Sequence, residues 1–324
     1  MKFRTIIAVL TLSALALTLS ACQQAQGYPS KGIEYVVHAS AGGGADVLAR
    51  TIADIMSKEK IVTQPITIVN KTGGGGAVAS AYVAEKKGDP YFIYNVASIH
   101  ITTPLQGGTR LSLKDFTPVA NLAYDSNCVA VKADSSYKTL QDLVDAAKSG
   151  KKLTQGGGSI GSTEHMTGFA VQKATGAQWE FIAFNSGAEA LTALLGGHID
   201  LAMPNPSEAV EQARAGKIRI LAVTTDKRLD MMPDVPTFKE LNIPFNLTFH
   251  RGIVMPKDVP ADAVKFWETA FQKALATDAW KKYGADNAFF PGWMNSKEYT
   301  EYLSKQDAAF QPIIEEMGLI KQKN

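Results

Sequence analysis

Ile33-Glu34-Tyr35-Val36-Val37-His38-Ala39-Ser40-Ala41-Gly42-Gly43-Gly44 decides the architecture of this chain. The run from Ile33 to His38 is rich in β-formers and reads as a strand. The small residues after it read as a tight turn, and from about Ala45 the period changes. Val47, Leu48, Ile52, Ile55 and Met56 recur at helical spacing and give the next segment one apolar face. Strand, glycine turn and amphipathic helix are the first half of a βαβ unit. Such a unit calls for a parallel neighbouring strand reached by a right-handed crossover.

Outward from that stretch the same grammar repeats. Ile66 to Asn70 is a strand, Gly73 to Gly76 opens a helix reaching about Lys86, and Tyr91 to Val96 is a strand. A second series starts at Val129-Ala130-Val131. Leu140 to Lys148 is helical, and Leu153-Thr154-Gln155 leads into Gly156-Gly157-Gly158-Ser159-Ile160-Gly161 and a helix from Ser162 to Lys173. Phe181 to Phe184, Ile199 to Met203 and Ile218 to Val223 read as strands, separated by helices over Ala188 to Leu195 and Ser207 to Ala215. Pro233, Pro236 and Pro244 then mark a return segment. Helices over Val264 to Leu275 and Ser296 to Met317 close the chain, the last with a buried stripe of Tyr299, Leu303, Phe310, Ile313, Ile314 and Met317. Two series predict two α/β lobes with parallel-rich sheets flanked by helices: residues 30–124 plus 225–324 as lobe one, and 125–224 as lobe two. A ligand is expected between them, beyond the carboxyl ends of the strands.

The N-terminus assigns the compartment. Lys2 and Arg4 precede an apolar run from Ile6 to Leu19, which ends in Leu19-Ser20-Ala21-Cys22. This reads as a lipoprotein signal peptide over 1–21, with lipidation at Cys22 and a polar tether over 22–29; a secretory signal cut elsewhere, with Cys22 incidental, is the alternative. The apolar run is shorter than the roughly 20 residues that a spanning helix needs. The expected location is the cell envelope, periplasm-facing or extracytoplasmic, lipid-anchored to a membrane. Loss of Lys2 and Arg4 takes the formal charge from +2 to zero, which speaks against nucleic acid as a partner. Hydrophobic residues at 45% and charged residues at 20% suit a globular protein with a true core. With Cys22 carrying lipid, Cys128 is unpaired and reads as a small buried hydrophobe in a strand.

Candidate ligand groups gather at the turns. Ser40, Ala41, Gly42, Gly43 and Gly44 precede a helix start, where free N–H groups and the helix dipole favour an anion. Asp46 lies in the first turn and orients that loop. A tight turn without ligand is the alternative for the same glycines. Ser159, Ser162 and Thr163 offer hydroxyls where a second helix begins. The letters Gly156 to Gly161 match a dinucleotide fingerprint, but Glu180 precedes its strand instead of ending it, so that reading is set aside. Asn185, Asn205 and Ser98 each sit just beyond a strand, where a polar side chain can reach a cleft; a turn residue without ligand is the alternative for each. Arg251, within Thr248-Phe249-His250-Arg251-Gly252, is flanked by strand residues and needs an acidic partner or a bound anion. His165 reads as structural. No zinc-binding histidine pair, nucleophile elbow or P-loop is present, so no catalytic residue, metal or cofactor is expected. An exported enzyme would need an acid/base pair or nucleophile that these residues do not offer.

The segments, in this order, resemble the tripartite tricarboxylate transporter solute receptors, the Bug family of extracytoplasmic binding proteins. The resemblance rests on Tyr28-Pro29-Ser30-Lys31, Gly42-Gly43-Gly44-Ala45-Asp46, Asn70-Lys71-Thr72-Gly73-Gly74-Gly75-Gly76 and Leu194-Leu195-Gly196-Gly197-His198-Ile199-Asp200. Ala215 to Thr224 and Pro233-Asp234-Val235-Pro236-Thr237 complete it. It implies a two-lobed periplasmic-binding-protein (Venus flytrap) fold that closes on a small organic acid. It further implies Ser40 to Gly44 and Ser159 to Thr163 as carboxylate loops, and two polytopic membrane subunits as partners of a monomer. A ligand sensor for a membrane signalling partner is the alternative. The chain departs from the pattern in several places. His38-Ala39-Ser40-Ala41 replaces a Pro-rich approach, Pro204 stands before Asn205 where an Asp is common, and Asn185 stands where a Lys is common. Phe169 takes the place of an acid and Arg251 that of an aromatic residue. Losing an Asp and gaining Arg251 leans the pocket away from amines and toward a second carboxylate.

Overall fold

The structure, a computed structural model, describes residues 27–245, 247 and 249–320. The signal segment and Cys22 lie outside the described residues. β1 (Ile33–Val37) ends where the small residues begin, and α1 (Gly44–Lys58) starts at the last glycine. Then come β2 (Ile66–Asn70), α2 (Ala77–Ala84), β3 (Phe92–Val96), α3 (Ile99–Leu105) and β4 (Phe116–Asp125). The second series is β5 (Cys128–Lys132), α4 (Leu140–Lys148), β6 (Thr154–Gly157), α5 (Thr163–Thr175), β7 (Glu180–Ala183), α6 (Gly187–Leu195), β8 (Leu201–Ala202), α7 (Pro206–Arg214) and β9 (Ile218–Val223). β10 (Phe249–Pro256), α8 (Ala261–Ala276), α9 (Asp278–Asp286), β11 (Phe290–Met294) and α10 (Ser296–Glu316) finish the chain.

These elements build two sheets, in the orders β11-β4-β10-β3-β1-β2 and β7-β6-β8-β5-β9. The crossover strands run parallel, β1 with β2 and β3, and β6 with β7 and β8. Both sheets are nevertheless mixed. β10 is antiparallel to β3 and β4, and β5 is antiparallel to β8 and β9. The reason is connectivity: strands that cross between the sheets enter against the direction of the βαβ units. Helices flank both sheets, giving a two-lobed α/β fold. The first core runs from Ile33, Tyr35 and Leu48 to Trp267 and Phe271, and the second gathers Val129, Leu143, Leu201 and Leu221.

Two expected boundaries shift. Residue 28 is not tether, because the Tyr28 hydroxyl donates to the Pro90 carbonyl at 2.7 Å and accepts the Trp267 indole N–H at 2.6 Å. The chain also stays with the second sheet well beyond Thr225. Phe238 donates its N–H to the Val223 carbonyl at 2.8 Å, and Phe238 and Ile243 are buried in the second core. The proline-rich segment carries side chains that need burial there, so the return comes only at β10.

At the seam between the sheets β4 ends at Asp125 and β5 begins at Cys128. The two connections are fastened to each other. Asn127 N–H donates to the Thr224 hydroxyl at 3.0 Å, and Thr224 N–H donates to the Asn127 carbonyl at 3.0 Å. Cys128 is fully buried, and burial pushes its thiol pKa up.

Candidate solute-binding site

A cavity of about 70 Å³ lies between the lobes. Its walls come from the residues just after β1, β3, β6, β7 and β8, and from Phe249, His250 and Arg251 of β10. Four helices of nine or more residues begin on it: α1 at Gly44, α5 at Thr163, α6 at Gly187 and α7 at Pro206. Each helix start contributes roughly half a positive charge and N–H groups without intrahelical partners. Convergence of four such starts makes a site for negative charge from backbone alone.

The lobes touch directly here. Ser40 Oγ donates to Ser186 Oγ at 2.7 Å, and Gly44 N–H donates to Glu208 Oε1 at 2.8 Å. A Cβ added at Gly43 would lie 2.8 Å from Ser186 Cβ, so glycine is what lets these loops meet. Thr102 Oγ1 donates to the Gly161 carbonyl at 2.8 Å, a second clasp across the mouth. The arrangement is closed.

Several residues expected at the site line it: Gly44, Ser159, Ser162, Thr163, Asn185, Asn205 and Arg251. Their bonds differ from expectation. Ser162 Oγ caps α5 by accepting His165 N–H, and Thr163 Oγ1 donates to Glu164 Oε2 at 3.1 Å. Asn185 is exposed at the rim and donates to Glu189. Asn205 bridges the lobes, donating from Nδ2 to the Ser126 carbonyl at 2.8 Å and accepting from Arg251 Nη2 at 2.7 Å. Arg251 has the acidic partner its sequence position required: Nε donates to Asp125 Oδ2 at 2.9 Å, and Nη2 reaches the same oxygen. Burial pushes the Asp125 carboxyl pKa upward against the pull of Arg251. The guanidinium charge is thus spent within the protein.

The remaining expected residues stand back from the cavity. Asp46 is buried behind the loop, accepting Gly42 N–H and Arg50 Nε on Oδ2 and Asn70 Nδ2 on Oδ1, each at 2.9 Å. This brace holds Gly42 at φ +82°, the left-handed region that favours glycine. Ala41 and Gly42 are exposed on the outer side, Gly43 packs on Ser186, and Ser40 is taken up by its bond to Ser186. Ser98 is fully buried with its hydroxyl unpartnered among the described residues. His165 stacks on Phe181 at 3.9 Å, a packing role.

Glu164, Ser186, Gly187, Glu208, His38 and His250 also line the cavity and were not read from the sequence. Glu208 had a signal, because it lies three residues after the Asn205 cap and its Oε2 accepts Asn205 N–H at 3.1 Å, half of a capping box. Burial, and then the charge of Glu164, raises its carboxyl pKa to about 7, opposed by the N–H groups of Gly44 and Asn205. His250 is fully buried with both ring nitrogens unpartnered, and burial lowers its pKa to about 3, so the ring is neutral. Burial likewise lowers His38 to about 4. No cluster of metal-ligating side chains occurs among the described residues.

Two α/β lobes clasped over a small polar cavity at the ends of their parallel strands define a solute-binding receptor. The chain belongs to the TctC family, whose profile, described as tripartite tricarboxylate transporter family receptor, matches residues 48–319. It is 33% identical to a Cupriavidus necator protein, "UPF0065 protein in gbd 5'region", across 97% of this chain and 96% of that one. Among solved structures it is similar to a ligand-free TctC solute-binding protein from Polaromonas, with 31% identity and a TM-score of 0.63 over 89% of this chain and 99% of that one. It is also similar to the R. palustris protein Rpa4515 with adipate, with 26% identity and a TM-score of 0.83 over 90% and 98%.

Proposed function

We propose that this protein captures a small carboxylate, a di- or tricarboxylate, and delivers it to the membrane subunits of a tripartite tricarboxylate-type secondary transporter. The observation that carries this reading is the meeting of four helix starts on one cavity. Such a site stabilises negative charge without a free cation. The adipate held by a 26% identical relative supports the same ligand class. The chain superposes better on that liganded protein than on the ligand-free one of higher identity, in keeping with the closed clasp across its own cleft. In this reading residues 30–124 with the C-terminal segment from β10 form one lobe, and 125 to about 245 the other. The seam at Asn127 and Thr224 is their hinge, and opening breaks Ser40–Ser186 and Gly44–Glu208. Ligand contacts fall to Gly44, Ser159, Ser162, Thr163, Ser186 and His250. Lipid on Cys22 holds the receptor at the outer face of a membrane. Among the described residues no helix is long and apolar enough to cross one.

Thermal unfolding of the soluble form lacking residues 1–22, against mono-, di- and tricarboxylates, amino acids and aromatic acids, tests the cargo class. A ligand at about 100 times its Kd stabilises by roughly 2.7 kcal/mol. A shift confined to one carboxylate class supports the proposal, and a shift with amines alone sinks it.

A further inference from the structure

Glu208 extends from α7 across the cleft and holds the Gly44 N–H that opens α1. Room for it exists because residue 187 is glycine; a Cβ there would collide with Glu208 Oε2. The cavity-facing donor of the first lobe is therefore already held by a carboxylate, and that carboxylate belongs to the opposite lobe. The one full positive charge that favours its ionised form, Arg251, is shared. Arg251 hydrogen-bonds Asp125, at the end of β4, and reaches Glu208 only by attraction through space. Glu164 on α5 adds a second negative charge. The other titratable groups around it are neutral: His38 and His250, which burial keeps unprotonated, and the buried Cys128 thiol and Tyr283 phenol, which burial keeps protonated. The helix-start N–H groups of Gly44 and Asn205, and then Arg251, make a charged Glu208 tenable.

We propose that Glu208 is a tethered stand-in for the cargo: a carboxylate solute takes the Gly44 N–H from it, and Glu208 takes up one proton from solvent as it yields. This rests on the carboxylate reading above. Seating a further anion beside Glu164 and a charged Glu208 would meet like-charge repulsion at short range. Moving a proton from water onto a Glu208 oxygen exchanges one cavity anion for another and leaves the local charge as it was. The protonated carboxyl also gains an O–H that can donate to the incoming carboxylate. The unpartnered ring nitrogens of His250, which lines the cavity, are buried polar groups awaiting the rest of such a ligand. Because burial has already brought Glu208 close to neutrality, the proton is readily acquired near pH 7. Receptor and solute would then release both a carboxylate and a proton when the cleft opens.

The test is calorimetric titration of the protein with adipate, in buffers of differing ionisation enthalpy, between about pH 6 and about pH 8.5. Proton uptake per adipate should rise from little at about pH 6 to near one at about pH 8, and affinity should fall about tenfold per pH unit above neutrality. Glu208→Gln should abolish both the uptake and the slope, and bind about tenfold more tightly than the wild type at about pH 8. Glu164→Gln should keep the uptake but move its midpoint to lower pH, since a neighbouring negative charge is gone. Should Glu208→Gln not fold, the wild-type proton count and the Glu164→Gln midpoint decide alone. Adipate binding without proton uptake, and with the same pH slope in Glu208→Gln, overturns the role of Glu208 and leaves carboxylate capture standing. An amine that binds the wild type and is lost in Glu208→Gln overturns it as well, by making Glu208 a cation ligand. No carboxylate binding in any variant at any pH overturns both proposals.

Discussion

The seam between the lobes buries the Asp125 carboxylate and the cavity beside it holds the half-buried Glu208, and they treat the charge oppositely. At the seam, Asp125 faces Arg251 and Ser126 N–H, so its charge is met by a full cation and a backbone donor. In the cavity, Glu208 is hydrogen-bonded only by the N–H groups of Gly44 and Asn205, with Glu164 opposing its charge and Arg251 favouring it without a direct bond. One acid is a fastening; the other is held in place by dipoles that a ligand can claim. A buried charge with its own counter-charge belongs to the fold, and one without it is exchangeable.

The contrast breaks first at Asp125. Asp125→Ala leaves Arg251 buried without its partner and should cost about 3–5 kcal/mol, read by denaturant unfolding. A loss under about 1 kcal/mol would mean that Arg251 leans on Glu208 and Glu164 instead, and the two regions would no longer differ. Gly43→Val comes next. Its side chain enters the space of Ser186, so the cleft stays ajar and the ligand-dependent gain of roughly 2.7 kcal/mol disappears, with little change in the unliganded Tm.

Glu208→Gln sharpens the other side through pH. A folded pKa of about 7 lies above the usual carboxylate value, so the folded state holds the extra proton and loses stability as pH rises toward and through 7. The Gln variant removes that loss. It should melt several degrees above the wild type at about pH 8 and converge with it toward about pH 4, in unfolding scans across pH. Equal pH dependence in both proteins would make Glu208 as settled an acid as Asp125. The smallest effect belongs to Asp46→Asn, which weakens the brace on Gly42 and Arg50. It should cost about 1 kcal/mol of stability and weaken cargo binding a few-fold.

Much of this was legible in the chain, and the reasons for the rest are physical. β1 and α1 announce themselves because the hydrophobic period changes at a run of glycines. β4 does not, since it runs between β10 and β11 with Pro118 and Asn121 inside it and almost no polar alternation. β10 reads as strand around Arg251, but its run on to Pro256 and its place in the middle of the sheet do not, since its neighbours β3 and β4 lie far away in sequence. α3 is short, ends near Pro104 and is rich in β-branched residues. At the site, glycines and helix caps could be read because their demands are local. Arg251 could be read as needing an acid or a bound anion, though not which; its partner is Asp125. Glu208 could not be placed, because its partner Gly44 lies 164 residues away and nothing near Glu208 records the meeting.

The strand order of the first sheet has a consequence for how the protein is made. β10 lies between β3 and β4, yet it follows both by more than a hundred residues. Until residue 256 has emerged, β3 and β4 have no shared neighbour and the sheet has a gap at its middle. The second sheet is contiguous in sequence from β5 to β9 and suffers no such delay. Assembly should therefore run inside out, with the inserted lobe folding first and the flanking lobe last, held back by its own long-range contacts. In the exported receptor proposed above, that order is a gain, because the N-terminal strands have nothing to complete until the chain is nearly across.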